Sequence, residues 1–100
     1  MNKLLVLNVV ALTPRLLEHM PRLSRVAEAG YRATLETVLP AVTCSAQSTY
    51  LTGRPPSEHG IVANGWLFRD LGDVLLWRQH NGLVEGEKVW ETIRQSRPDY

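Results

Sequence analysis

Leu39-Pro40-Ala41-Val42-Thr43-Cys44-Ser45-Ala46-Gln47 is the stretch on which the fold turns. Ahead of it, Ala33 to Leu39 carries Leu35, Thr37 and Val38, residues that suit a pleated strand, and Pro40 ends the run because it has no backbone N–H to give a ladder. Behind it, Thr43 is a favoured helix N-cap, Cys44 to Thr52 contains neither Gly nor Pro, and Gly53-Arg54-Pro55-Pro56 is a firm stop. The stretch predicts a strand that hands over to a short helix beginning at Thr43. No charged residue occurs from Thr37 to Gly53, so this segment is expected to be buried.

Working outward toward the N-terminus, Pro21 to Gly30 has helix punctuation: Pro21 in the first turn, a Leu23, Val26, Ala27 stripe, and Gly30 as cap. Leu4 to Leu12 is a Leu- and Val-rich run interrupted by Asn8, and its lack of alternation is that of a parallel strand covered on both faces. Strand, helix, strand in this order is a βαβ unit, which makes the fold class α/β. Toward the C-terminus, Ser57 to Gly65 reads as loop. Trp66 to Phe68 and Val74 to Trp77 read as short strands turning through Asp70, Gly72 and Asp73, and Glu87 to Gln95 as a last helix burying Val89, Trp90 and Ile93.

Composition narrows the function classes. With 100 residues, 44% hydrophobic and 21% charged, the chain is expected to be one globular domain or part of one. Lys+Arg 11 against Asp+Glu 10, mixed along the chain, leaves +1 and no basic footprint for nucleic acid or an anionic membrane. The apolar N-terminal run is far shorter than the roughly 20 residues of a membrane span and ends in Thr13-Pro14-Arg15 without a signal-cleavage pattern. Cys44 is the sole cysteine, which excludes an internal disulfide and fits a reducing, cytoplasmic setting.

Thr43 carries the chemistry in this reading. A hydroxyl at the start of a helix that follows a parallel strand lies where backbone N–H groups and the helix dipole favour an anion such as phosphate. The plain alternative is that Thr43 only caps the helix. The longer pattern from Pro40 to Asn64, without a gap, resembles the nucleophile region of the nucleotide pyrophosphatase/phosphodiesterase (type I phosphodiesterase) family, within the alkaline phosphatase superfamily. The matching positions are Pro40, Thr43, Thr52-Gly53, Pro56, His59-Gly60-Ile61 and Asn64.

The resemblance implies the N-terminal part of a three-layer α/β/α fold with a mostly parallel central sheet, residues 1–100 forming a single partial domain. It implies a hydrolase of phosphodiester or pyrophosphate bonds acting on a small nucleotide-like substrate. Two divalent cations, usually zinc, would activate the Thr43 hydroxyl as nucleophile and metal ligand, and Asn64 would donate its amide to a non-bridging phosphate oxygen. The chain departs from the family at the end of the first strand, where a metal-binding Asp is usual and Val10-Ala11 stand here. The nearest polar candidate is Asn8, two positions earlier on the same strand face, a neutral oxygen donor or equally a buried, hydrogen-bonded strand residue. The remaining Asp and His ligands of such enzymes are expected downstream, so residues 1–100 by themselves are expected to be inert. A scaffold that keeps the phosphate cradle without catalysis is the other reading that Val10 leaves open.

Other residues weigh less. His59 is read as structural, with a Cys44 thiol nucleophile using His59 as base the minor alternative. His19 and His80 read as surface histidines. Among Trp66, Phe68, Trp77 and Trp90, Trp66 is the best placed to wall a base pocket, the others suiting the core. Arg54 and Arg78 read as solvated charges.

Overall fold

The computed structural model describes residues 5–78 and 80–99, so Leu4, the first residue of the expected N-terminal strand, lies outside the described residues. The chain divides into two units, Met1–Glu36 and Thr37–Tyr100.

In the first unit, helix α1 (Pro14–Leu17) starts where Thr13 accepts the Leu16 N–H on its hydroxyl at 3.1 Å, with Pro14 at the first helical position. Helix α2 (Pro21–Ala29) matches the expected Pro21 to Gly30 segment. Leu23 and Ala27 are half-buried, but Val26 of the expected stripe is exposed. The Ser24 hydroxyl donates to the Leu17 carbonyl at 2.9 Å and joins the two helices.

The expected strand before α1 does not form. Residues 5–9 enter no strand pairing, a turn at Val10 and Ala11 closes with Leu12 N–H to the Val9 carbonyl at 3.3 Å, and Ala11 sits at φ 62. A strand exists only where a neighbour takes up its backbone hydrogen bonds, and this segment has none among the described residues. Its side chains are exposed, as are those of Ala33 to Thr37 and Leu39, where the second parallel strand was expected and none is present. The βαβ unit is thus replaced by helices and unpaired chain.

The second unit contains helix α3 (Thr43–Thr52), the single turn α4 (Pro56–His59), strands β1 (Gly65–Phe68) and β2 (Asp73–Leu76), a 3₁₀ turn over Asn81–Leu83, and helix α5 (Val89–Ser96). The strands pair antiparallel as Gly65↔Leu76, Trp66↔Leu75, Leu67↔Val74 and Phe68↔Asp73, close to the expected hairpin. Gly72, at φ 69, takes the left-handed position of the turn. Together the elements are mixed helix and sheet, in keeping with an α/β chain, with an antiparallel pair as the sheet among the described residues.

Helix α5 begins at Lys88, whose N–H donates to Glu91 Oε2 at 2.8 Å. Its expected core side chains Val89 and Trp90 are instead exposed, and Ile93 is half-buried. The uncharged Thr37 to Gly53 segment is likewise buried only at Ser45 and Ser48, because lack of charge in small polar side chains signals tolerance of burial rather than a demand for it. No helix among the described residues is long and apolar enough to cross a membrane.

Candidate functional site

The start of α3 is built from two places in the sequence. Val42 is the N-cap, extended at φ −117 and ψ 156, and its side chain offers no acceptor. Thr43 is therefore the first helical residue rather than the cap expected from its type. The capping acceptor comes from a distance: Asn64 Oδ1 takes the Cys44 N–H at 2.9 Å. That bond satisfies one of the donors a helix leaves open at its N-terminus and brings Asn64 to the turn that carries Thr43. Thr43 itself is exposed, whereas Asn64 is half-buried.

Asn64 is held from the other side as well, since its carbonyl accepts the Trp77 N–H at 2.9 Å at the end of the hairpin opposite its turn. With Oδ1 engaged as an acceptor, the two Nδ2 hydrogens are the donating end of the side chain. The helix dipole favours negative charge at the turn that carries Thr43. The Cys44 N–H, in contrast, is committed to Asn64.

Beneath this turn lies a polar network. His59 is completely buried, at 0% exposure. Its Nδ1 accepts the Ile61 N–H at 3.1 Å, which puts the ring proton on Nε2. Nε2 then donates to Thr49 Oγ1 at 2.9 Å, and Thr49 Oγ1 donates to the Ser45 carbonyl at 3.0 Å. Both ring nitrogens are used, so His59 is not placed as a base for Cys44, and the structural reading holds. Thr49 was not singled out in the sequence, because a hydroxyl inside a helix carries no local signal of a partner ten residues away. Ser45 Oγ is buried without a hydrogen-bond partner.

Helix α3 ends as expected at Gly53, left-handed at φ 66, with its N–H on the Thr49 carbonyl at 2.8 Å. Arg54 and Glu58 form an exposed pair at 3.7 Å, in line with solvated charge. His19 and His80 are exposed, and His80 Nδ1 takes the Gly82 N–H at 3.0 Å. Trp66 and Phe68, with Val62, Leu71 and Leu83, line an open groove of about 830 Å³ beside the hairpin, whereas Trp77 and Trp90 are exposed rather than packed in a core.

Asn8 lies in the Met1–Glu36 unit and Thr43 in the Thr37–Tyr100 unit. Asn8 is exposed in an unpaired segment, so neither the shared strand face nor the buried alternative applies to it. Among the described residues no group of three or more His, Cys, Asp or Glu is placed to hold a metal ion. A hydroxyl and a neutral amide do not make a two-cation site, which needs several carboxylates and imidazoles together.

A family model described as Type I phosphodiesterase / nucleotide pyrophosphatase matches residues 4–97. No curated protein and no solved structure matches the chain.

Proposed function

Since the chain belongs to the type I phosphodiesterase / nucleotide pyrophosphatase family, we propose that it contributes the nucleophile turn of a metal-dependent hydrolase of phosphodiester or pyrophosphate bonds, with Thr43 as nucleophile and Asn64 as the donor that steadies the phosphoryl oxygens. The observation that carries this reading is the Asn64 bond to the Cys44 amide, which joins the two residues through the first turn of α3. In the reaction the Thr43 oxygen attacks phosphorus and the bond to the leaving oxygen breaks, the proton given up by the Thr43 hydroxyl ending on that leaving oxygen. Water then attacks the same phosphorus, and the Thr43 oxygen leaves and regains a proton from it. Nδ2 of Asn64 stabilises the charge that builds on the non-bridging oxygens. The cations of this reading take most of their ligands from outside residues 1–100.

The reading is tested by Thr43→Ala in the full-length protein, with turnover of a chromogenic phosphodiester as the readout. Loss of nearly all metal-dependent turnover is expected, with little change in stability because Thr43 is exposed. Wild-type rates in the variant would end it. The scaffold reading, which rests on Val10 in place of the usual Asp, requires less than one bound cation per chain in purified full-length protein.

A further inference from the structure

His59 and Ser45 are the largest fully buried side chains among the described residues, and only the imidazole is fully bonded. A buried imidazole with a partner on each nitrogen is costly to desolvate unless those bonds are kept, so its geometry is fixed by them. One side of the ring is tied to the Ile61 N–H, at the beginning of the segment that leads to Asn64. The other is tied through Thr49 Oγ1 to the Ser45 carbonyl, in the same turn of α3 as Thr43. The His59 carbonyl in turn receives the Glu85 N–H at 3.0 Å, which anchors the residue from a third direction.

We propose that His59 is a positioning residue: it clamps the first turn of α3 to the segment bearing Asn64 and so sets where Asn64 stands relative to Thr43. The inference rests on the assignment of those two residues above. Asn64 is held to α3 through its hydrogen bond to Cys44, and a bond to a side chain does not fix a distance unless the backbones on both sides are fixed. The His59 ring supplies an attachment of that kind, through donors and acceptors that an apolar side chain filling the same volume would lack.

The distinction can be read from what replaces the ring. Asn keeps an acceptor near the position of Nδ1 but falls short of Thr49, whereas Gln places an N–H donor near the position of Nε2. Thr49→Val removes the receiving hydroxyl and leaves the imidazole in place. In the full-length protein, kcat on a chromogenic phosphodiester is expected to fall at least about tenfold in His59→Asn and Thr49→Val with KM little changed, and to recover in His59→Gln. The double variant His59→Asn with Thr49→Val should lose no more than either single one. Hydrogen exchange at the Cys44 amide, read by NMR, should accelerate in the same two variants and not in His59→Gln.

Wild-type kcat together with wild-type Cys44 exchange in Thr49→Val would overturn the proposal, as would recovery in His59→Asn equal to that in His59→Gln. Should His59→Asn not fold, Thr49→Val carries the comparison. A wild-type protein that turns over no phosphodiester would instead sink the assignment of Thr43, and the Cys44 exchange rates would still decide the clamp.

Discussion

In the proposed reading Asn64 does two separable things, and substitutions can part them. Its oxygen caps α3 through the Cys44 N–H, while its amide nitrogen is the end available to a phosphoryl group. Asn64→Asp keeps the acceptor and adds a charge that suits a helix N-terminus, so unfolding free energy should hold within about 0.5 kcal/mol while turnover drops ~10²–10³-fold for want of the donor. Asn64→Ala removes both functions and should also cost about 1 kcal/mol. Urea unfolding alongside turnover checks the pair, and an active Asp variant would refute the donor role. Local sequence rules gave Thr43 the cap because of its residue type. They do not register that Val42 holds the cap position while a residue far along the chain supplies the acceptor. That Asn64 belongs with the first turn of α3 was legible only through the family pattern, and the Thr49–His59 bond was not legible at all.

At the level of elements, the legible ones are those whose ends are written in local chemistry. The hairpin follows from apolar runs around Asp70-Leu71-Gly72-Asp73, α3 from its Gly53 stop, and α2 from Pro21. Helix α1 had its signal too, Thr13 before Pro14, but one turn is too short to show periodicity. The two parallel strands failed for a different reason: an apolar run reports a preference for burial and says nothing of which partner completes the ladder. Gly53 tests the local logic. No atom lies within 4 Å of where a Cβ would stand, so Gly53→Ala meets no clash and loses only the ease of its left-handed φ of 66. A loss of about 1 kcal/mol is expected, as a lower urea midpoint at unchanged slope. An unaffected midpoint would mean that α3 does not end in this conformation.

Across the whole molecule, apolar surface is left uncovered. Leu5, Val6 and Val10 are 79%, 78% and 84% exposed, and Leu17 and Ile61 are the buried hydrophobic residues among those described. On the hairpin, Leu67, Val74 and Leu76 share one exposed face. Surface of this kind invites association, and so little burial leaves small net stability. Residues 1–100 produced as an isolated polypeptide should elute in light-scattering chromatography as species larger than an 11.3 kDa monomer and bind neither zinc nor nucleotide with micromolar affinity. A monodisperse monomer that melts cooperatively and takes up zinc tightly would contradict this. The central claim, that Thr43 is the nucleophile, concerns a single covalent bond and can be caught directly. In the full-length protein, rapid acid quenching during turnover of a radiolabelled dinucleotide, followed by peptide mapping, should place a phosphoryl-linked adduct on the peptide containing Thr43 and on none in Thr43→Ala. An adduct on Cys44 or any other residue, with Thr43→Ala still turning over, would contradict the account.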